Sequence, residues 1–513
     1  MSKTKMARAA SLIMIITVIS KGIGFLRDML VASSFGATYQ TDAYNMAITI
    51  PEILFAIFSL AITTTFIPIL SDTYKNKGKE DMFHFSNNIM NILIVITLGL
   101  SVLGWVFSPQ LVSFIAPKFT GKTYDLTVVL IKISVINLVF MAINGAYTAV
   151  LQTLDDFTSP ALVGIIMNLP IIIYILIGAK GGVIGLTIAT VMGNFLKVLI
   201  QLPWLFKHGY KYELYIDYKD SRIRKLLMLI APVVIGAGAN QLNAIINTNM
   251  GSGLPQGSIS ALNYSGRITD VVIVTFAASI VTVVYPALAR EGSAKNYDQF
   301  RIYISKAVNN ITLIMMPCTV GLIILSIPTI TILLKHGVFD DNAVRMTSIA
   351  LIAYSVGIPF YGVRDVFNRG LYALKDTKTS TINGLIGIGI NISLNLILVP
   401  VLGLGGLALS TSIAAIACAF LLANSLRKKI GNINGKEIIK TTSKIIVASA
   451  VMGIAVYFSY YLLINAIGGG TGLIIGYISS ILVGIAVYFL MLLVLKVEEL
   501  KVVLGHITSK LKR

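Results

Sequence analysis

The sequence predicts an all-α polytopic membrane protein with 14 transmembrane helices: two six-helix lobes related by a pseudo-two-fold axis along the membrane normal, plus two C-terminal helices. Three observations predict it. Hydrophobic residues fill 56% of the 513 positions and charged residues 12%, with a mean hydropathy of +0.84, which excludes an ordinary soluble domain. Apolar runs of spanning length recur along the whole chain with short connections between them. The first six runs are echoed by the next six at a steady offset.

The first six runs fall near residues 7–33, 43–70, 87–107, 124–152, 159–178 and 182–204. Each supplies the roughly 20 residues that a helix needs to cross a ~30 Å hydrocarbon core. A polar stretch from Lys207 to Lys225 separates them from six more, near 226–250, 258–288, 303–333, 343–371, 379–400 and 404–426. A second basic linker, Arg427 to Lys444, leads into the last two, near 445–466 and 471–495. The expected organisation is an N-lobe over residues 1–220, a C-lobe over 221–430, and two helices with a tail over 431–513. Because Lys3, Lys5 and Arg8 precede the first run, it has the outline of a signal peptide. No small-residue cleavage site follows, however, and further spans come straight after. Cys318 and Cys418 both fall in apolar runs and read as small core residues, not as a disulfide or a zinc site.

Internal duplication is carried by residues that are costly to match by chance. Phe66-Ile67-Pro68-Ile69-Leu70 and Met82-Phe83 find an echo in Val284-Tyr285-Pro286-Ala287-Leu288 and Gln299-Phe300, about 218 residues on. Leu151, Leu154 and Asp156 match Leu371, Leu374 and Asp376, while Gly182 and Gly185 match Gly403 and Gly406, at 220 to 221. Six spans per copy return the chain to the side it started from. The copies therefore share an orientation, and a cavity is expected between them.

Sidedness follows from lysine and arginine. The N-terminus, the C-terminus and the loops after even-numbered spans hold 29 of the 41 basic residues, against five in the opposite loops, so both termini are expected in the cytoplasm. The formal charge of +19 is thereby mostly topological, and nucleic acid is not an expected partner. Seven basic residues remain inside predicted spans: Lys21, Arg27, Lys132, Lys197, Arg267, Arg364 and Arg369.

Those intramembrane charges are the candidate site. The stretch Ser20 to Asp28, SKGIGFLRD, sets Lys21, Arg27 and Asp28 between apolar flanks, with Gly22 and Gly24 allowing a bend or a close backbone approach. A cation at the centre of a membrane helix costs at least ~2.5 kcal/mol, so such residues usually face a bundle interior or a wet cavity. At the repeat offset the seventh span has no equivalent charges, and Asn240, Gln241, Asn243 and Asn247 give it a neutral polar face. The second lobe supplies Arg267 and Arg364 from other spans. A cavity lined by Lys21, Arg27, Arg267 and Arg364 suits a polyanion, phosphate above all, which guanidinium can grip with two parallel hydrogen bonds. Local pairing is the plainer alternative, since Arg267 sits three residues before Asp270 and Asp365 four before Arg369. Lys197 and Arg369 lie near the cytoplasmic end of their spans, within reach of snorkelling. Glu52 and Asp270 correspond in the two lobes and read either as partners of these cations or as proton carriers.

Signs of enzyme chemistry are thin. Gly121-Lys122-Thr123 has the ending of a phosphate-binding loop, but Ala116 stands where its first glycine belongs. No loop is long enough for a folded nucleotide-binding domain. A transporter is expected, without a cofactor, driven by an ion gradient, the membrane potential or the substrate gradient.

SKGIGFLRD, Thr41-Asp42-Ala43-Tyr44, Ile50-Pro51-Glu52, Phe66-Ile67-Pro68 and Tyr372-Ala373-Leu374-Lys375-Asp376-Thr377 together resemble the MurJ (MviN) family of the multidrug/oligosaccharidyl-lipid/polysaccharide exporter superfamily. That resemblance covers nearly the whole chain. It implies a bacterial cell membrane protein that flips lipid II, the undecaprenyl-diphosphate-linked peptidoglycan precursor, with membrane lipids and other wall-synthesis proteins as further partners. It also implies substrate-cavity roles for Arg27, Asp28 and Arg267, an acidic role for Asp42 in the second helix, and a lipid-tail groove formed by the last two spans. Lys21 stands where relatives often carry Arg, and Phe55-Ala56 replaces a basic pair seen in some. The family's cation site would map to Asn247, Asn391, Asn395 and Thr411, with amides where carboxylates occur elsewhere. Rival readings are a flippase for another polyprenyl-linked sugar, a polytopic glycosyltransferase acting on the same lipids, or a scaffold of wall synthesis. A transferase would call for acidic motifs in a sizeable loop, and a scaffold would have no use for intramembrane arginines.

Overall fold

The computed structural model describes residues 3–500, and these form helices joined by turns, with no strand among them. The two chain ends, residues 1–2 and 501–513, on which the cytoplasmic assignment of the termini bears, lie outside the described residues. The chain divides into two compact units, Met1–Ser260 with His336–Asp340, and Ala261–Lys335 with Asp341–Arg513.

The first unit contains α1 (Lys3–Phe35), α2 (Tyr39–Ala61), α3 (Ile67–Val106), α4 (Ser108–Ile115), α5 (Gly121–Ser134), α6 (Asn137–Thr153), α7 (Thr158–Ile166), α8 (Leu169–Leu176), α9 (Gly182–Leu199), α10 (Leu202–Lys207) and α11 (Ser221–Ser252). Between α2 and α3 the chain makes one wide π turn, Ile62–Phe66, just ahead of Pro68. Proline has no N–H to give and crowds the carbonyl four residues back, so the turn must open. Threonine hydroxyls supply bonds there, with Thr63 and Thr64 donating to the Ser59 and Leu60 carbonyls at 3.1 and 2.7 Å. One buried cluster of this unit centres on Phe66, Met82, Phe85 and Leu151, another on Met46, Leu130, Ile131 and Leu186.

The second unit contains α12, which begins in the first (Ser258–Val272), then α13 (Ala278–Ser293), α14 (Tyr297–Ile324), α15 (Ser326–Leu334), α16 (Asp341–Ser355), α17 (Ile358–Ala373), α18 (Thr377–Leu402), α19 (Leu404–Ile430), α20 (Gly435–Ile467) and α21 (Gly469–Val494). Phe300, Ile311, Met315 and Leu422 centre its larger cluster. A smaller one, with Ile445, Val456 and Leu492, fastens α20 and α21 to α14, and the Tyr488 hydroxyl donates to the Leu313 carbonyl at 2.7 Å.

Eleven helical segments among the described residues are long and apolar enough to cross a membrane. One of them, Tyr39–Val106, is 68 residues long and breaks at Gly78, whose φ of 88° no other residue type adopts readily. Fourteen crossings follow if that segment crosses twice and if α1 and α11, helices of 33 and 32 residues outside the eleven, cross as well.

Residues paired by the repeat adopt the same local geometry in the two units. Asp155 and Lys375 are both left-handed, with φ of 59°. The next N–H in each case, Asp156 or Asp376, donates to the carbonyl of Leu151 or Leu371 at 2.9 Å, which closes the preceding helix. Each aspartate then caps the following helix, accepting from the Thr158 N–H at 3.3 Å and from the Thr379 N–H at 3.0 Å. Each also holds a basic residue from just beyond the last predicted span of its repeat, His208 at 3.1 Å and Lys429 at 2.6 Å. Partial burial pushes the Asp376 carboxyl up, and Lys429 with Thr379 more than reverses this, bringing it down to about 2. Gly182 and Gly403 likewise share a left-handed φ, 59° and 56°.

Candidate functional site

Helix α1 runs unbroken through Gly22 and Gly24, so Lys21 and Asp28 stay about 10 Å apart along the axis. Lys21 is exposed, whereas Arg27 and Asp28 are half-buried. Adjacent residues on a helix do not face each other, yet the Arg27 side chain folds along its own helix so that Nε and Nη2 both donate to Asp28 Oδ1, at 3.0 and 2.6 Å. Both bonds end on a single oxygen. The two-oxygen fork that guanidinium forms best is thus not used by this pair. Glu52, exposed on α2, is close enough for its charge to act on Arg27, Tyr44 and Lys197.

Lys197 departs from its sequence expectation. Snorkelling is expected from its place near a span end, but the side chain is buried, and its Nζ donates to Asn194 Oδ1 at 2.9 Å. Asn194 Nδ2 donates in turn to Asn137 Oδ1 at 3.1 Å, and Gln201 Nε2 to Asn144 Oδ1 at 2.8 Å. This lysine, buried among amides on the ninth helix, is near enough to interact electrostatically with Glu52 and Arg27. The signal was present in the spacing: Asn194, Lys197 and Gln201 fall at i, i+3 and i+7, one polar stripe on an apolar helix.

Asp42 has a different setting from the other acids. It is 3% exposed in the first turn of α2, and its carboxylate accepts three hydrogen bonds, from the Gly257 N–H (Oδ2, 2.6 Å) and from the Ser260 N–H and hydroxyl (Oδ1, 2.8 and 2.7 Å). Ser260 also accepts from Asn45 Nδ2 at 3.1 Å. The carboxylate thereby fastens α2 to the start of α12 across more than 200 residues of sequence.

In the second unit, Arg267 and Asp270 are exposed on α12, and Arg364 is half-buried on α17 with its guanidinium over the Tyr361 ring, 5.3 Å from the centroid. Asp270 is near enough to Tyr361 and Tyr354 for its charge to reach both. Arg369 pairs locally, 3.9 Å from Asp365 and 5.5 Å above the Tyr285 ring. Of the four residues mapped to a cation site, three lie together in this unit: Asn391 Nδ2 donates to Thr411 Oγ1 at 3.4 Å and Asn395 Nδ2 to Asn391 Oδ1 at 3.3 Å. Asn247 belongs to the first unit, and the Asn240 side chain lies outside those described. An apolar groove of about 350 Å³ runs between α14, α15, α20 and α21, lined by Pro317, Cys318, Leu322, Val456, Ile481 and Phe489.

The family described as "Lipid II flippase MurJ" matches residues 31–490 of this chain. Among curated relatives, the lipid II flippase MurJ of Thermosipho africanus is 30% identical over 414 residues, 80% of this chain and 84% of that protein. The probable lipid II flippase MurJ of Rickettsia prowazekii is 28% identical over 498 residues, 94% and 96% of the two chains. A solved lipid II flippase MurJ in an inward closed conformation superposes with a TM-score of 0.80 at 29% identity, over 94% of this chain and 97% of that one. An inward-facing multidrug resistance MATE family transporter of the MOP superfamily shares the fold, with a TM-score of 0.65 at 17% identity over 83% and 99%. The chain belongs to the lipid II flippase MurJ family.

Proposed function

We propose that this protein carries lipid II across the membrane by alternating access, its diphosphate gripped by the intramembrane cations. It is a transporter and not an enzyme, and its place is in peptidoglycan synthesis. The observation that carries the reading is the family match over residues 31–490, which takes in Arg267 and Arg364 and nearly every helix. Arg27 and Asp28, just ahead of that match, supply chemistry that fits. Arg27 spends two donors on one carboxylate oxygen, so a diphosphate that offers oxygens in pairs is a better partner, and Asp28 is then released to accept from sugar hydroxyls. Lys21, Glu52, Arg267, Asp270 and Arg364 are the further headgroup contacts of this reading, and the apolar groove beside α20 and α21 takes the prenyl tail. Asp42 is the remaining acid of this site, and its three bonds from Gly257 and Ser260 support a part in holding helices together over direct contact with substrate.

Depleting the protein in its own cells should leave lipid II on the inner leaflet, protected from an enzyme or toxin that cleaves it from outside. Unchanged external cleavage after depletion rules the reading out, and loss of cleavage for a different polyprenyl-linked sugar alone favours the related flippase. The same reading places both termini and the Lys207 to Lys225 linker in the cytoplasm, lobes at 1–220 and 221–430, and fourteen crossings. In a background without Cys318 and Cys418, Thr38→Cys and Gly469→Cys should react with an impermeant thiol reagent from outside. Labelling of Asn76→Cys instead reverses the orientation.

A further inference from the structure

Residues 209–220, between α10 and α11, form no helix. The chain there is laid along α3 and tied to it by three asparagine side chains. Asn87 Nδ2 donates to the Lys211 carbonyl at 2.8 Å, and Asn91 Nδ2 to the Glu213 and Tyr215 carbonyls at 2.8 and 3.0 Å. Asn88 Nδ2 donates to the Asp217 carbonyl at 3.0 Å while its Oδ1 accepts from the Asp217 N–H at 2.8 Å. Tyr210 and Tyr212 return hydroxyl bonds to Asn87 and Asn91, and Glu213 meets His84 at 2.9 Å. The strap's odd-numbered carbonyls thus all point at α3. The Tyr215 N–H donates to the Glu213 carbonyl at 3.0 Å, which makes Leu214 the tip of a three-residue turn.

Beyond the buried Tyr210 the even-numbered side chains are exposed, Tyr212 while its hydroxyl stays on Asn91. Leu214 is 84% exposed, Tyr218 66%, Tyr212 52% and Ile216 38%, while Lys211 and Lys219 stand exposed on either side of them. What covers this face follows from its depth. Helix α3 carries no charge between His84 and its end at Val106. Counting back from Val106 the ~20 residues of a hydrocarbon core reaches Asn87, so Asn91 lies about one turn inside the boundary. Irregular backbone is tolerated at that depth where its polar groups find protein partners, and the asparagines supply them to the odd-numbered carbonyls and to the Asp217 N–H. With Glu213 held by His84 and Asp217 by the Tyr215 hydroxyl, the tyrosines at the headgroup level, the leucine tip below them and the flanking lysines make up an interfacial segment that suits anionic lipid.

We propose that the 211–219 strap is a lipid-contacting anchor: Leu214 enters the acyl boundary of the leaflet at this end of the first unit, Tyr212 and Tyr218 sit among the headgroups, and Lys211 and Lys219 meet lipid phosphate. The inference does not depend on what the protein transports. The test is a nitroxide at Leu214→Cys in full-length protein without Cys318 and Cys418, reconstituted in nanodiscs of phosphatidylglycerol and phosphatidylcholine, with collision by oxygen and by a water-soluble nickel chelate compared. Oxygen access relative to nickel should be several-fold higher than at Asn76→Cys. Adding Asn91→Ala, which removes the donor from two carbonyls, should shift the Leu214 label toward nickel access, and Lys211→Gln with Lys219→Gln should abolish its dependence on the phosphatidylglycerol share. Nickel access at Leu214 equal to that at Asn76 overturns the proposal. So does a label shielded from both reagents, which would mean that protein covers the strap.

Discussion

Arg27→Ala should abolish growth complementation in cells that lack their own flippase, at wild-type membrane levels of the protein. Hydrogen bonds to a charged partner contribute about 1.5–3 kcal/mol each, so losing a two-donor grip on phosphate is worth two orders of magnitude or more in affinity. Arg27→Lys should also fail, because ammonium keeps the charge but lacks the fork. Lys21 already works as an ammonium, so Lys21→Arg should be tolerated and Lys21→Ala should not. The bonds from Arg27 to Asp28 Oδ1 make the competing account concrete. If Arg27 exists only to neutralise Asp28, removing both charges yields a helix that inserts more readily, and the Arg27→Ala/Asp28→Ala double variant recovers activity. Continued loss in the double, at matched protein level, leaves the headgroup as the missing partner. Full recovery removes Arg27 from the substrate site.

Much of the fold was legible in the chain because membrane helices write their length in composition. Runs of apolar residues and the matched Asp156 and Asp376 needed no coordinates. What stayed hidden depends on helix rotation and on distant pairings. Lys197 near a span end permits both snorkelling and burial, and the choice was made by Asn194 and Asn137, the latter on a different helix. Asn87, Asn88 and Asn91 stand at the start of the third predicted span, and nothing in their spacing says that a linker more than 120 residues away supplies carbonyls to them. The first two helices of the second repeat show the same limit. The offset pairs α11 with α1, but α11 lies in the first compact unit, where the turn that follows it is capped by Asp42.

Asp42→Ala should be the most destabilising single change at the acidic positions named here, and the order of three variants decides what Asp42 is for. Alanine leaves the Gly257 and Ser260 N–H groups and the Ser260 hydroxyl without their acceptor. A buried donor left unsatisfied costs about 1–3 kcal/mol, so the sum is several kcal/mol and should appear as a clear drop in the melting temperature of the purified protein in detergent. Asp42→Asn keeps one oxygen. If that oxygen serves Ser260, the amide nitrogen faces the Gly257 N–H, donor against donor, so an intermediate loss is expected. Ser260→Ala removes two bonds, the one its hydroxyl gives to Asp42 and the one it accepts from Asn45, but leaves both backbone N–H groups satisfied, which should cost about 1–2 kcal/mol and preserve most flipping. A substrate contact predicts another pattern: Asp42→Ala would melt like the wild type and still fail to move lipid II. The carboxylate's three bonds, all to residues of its own unit, favour the stability order, and the melting curve of Asp42→Asn, midway or not, is the measurement that separates the two.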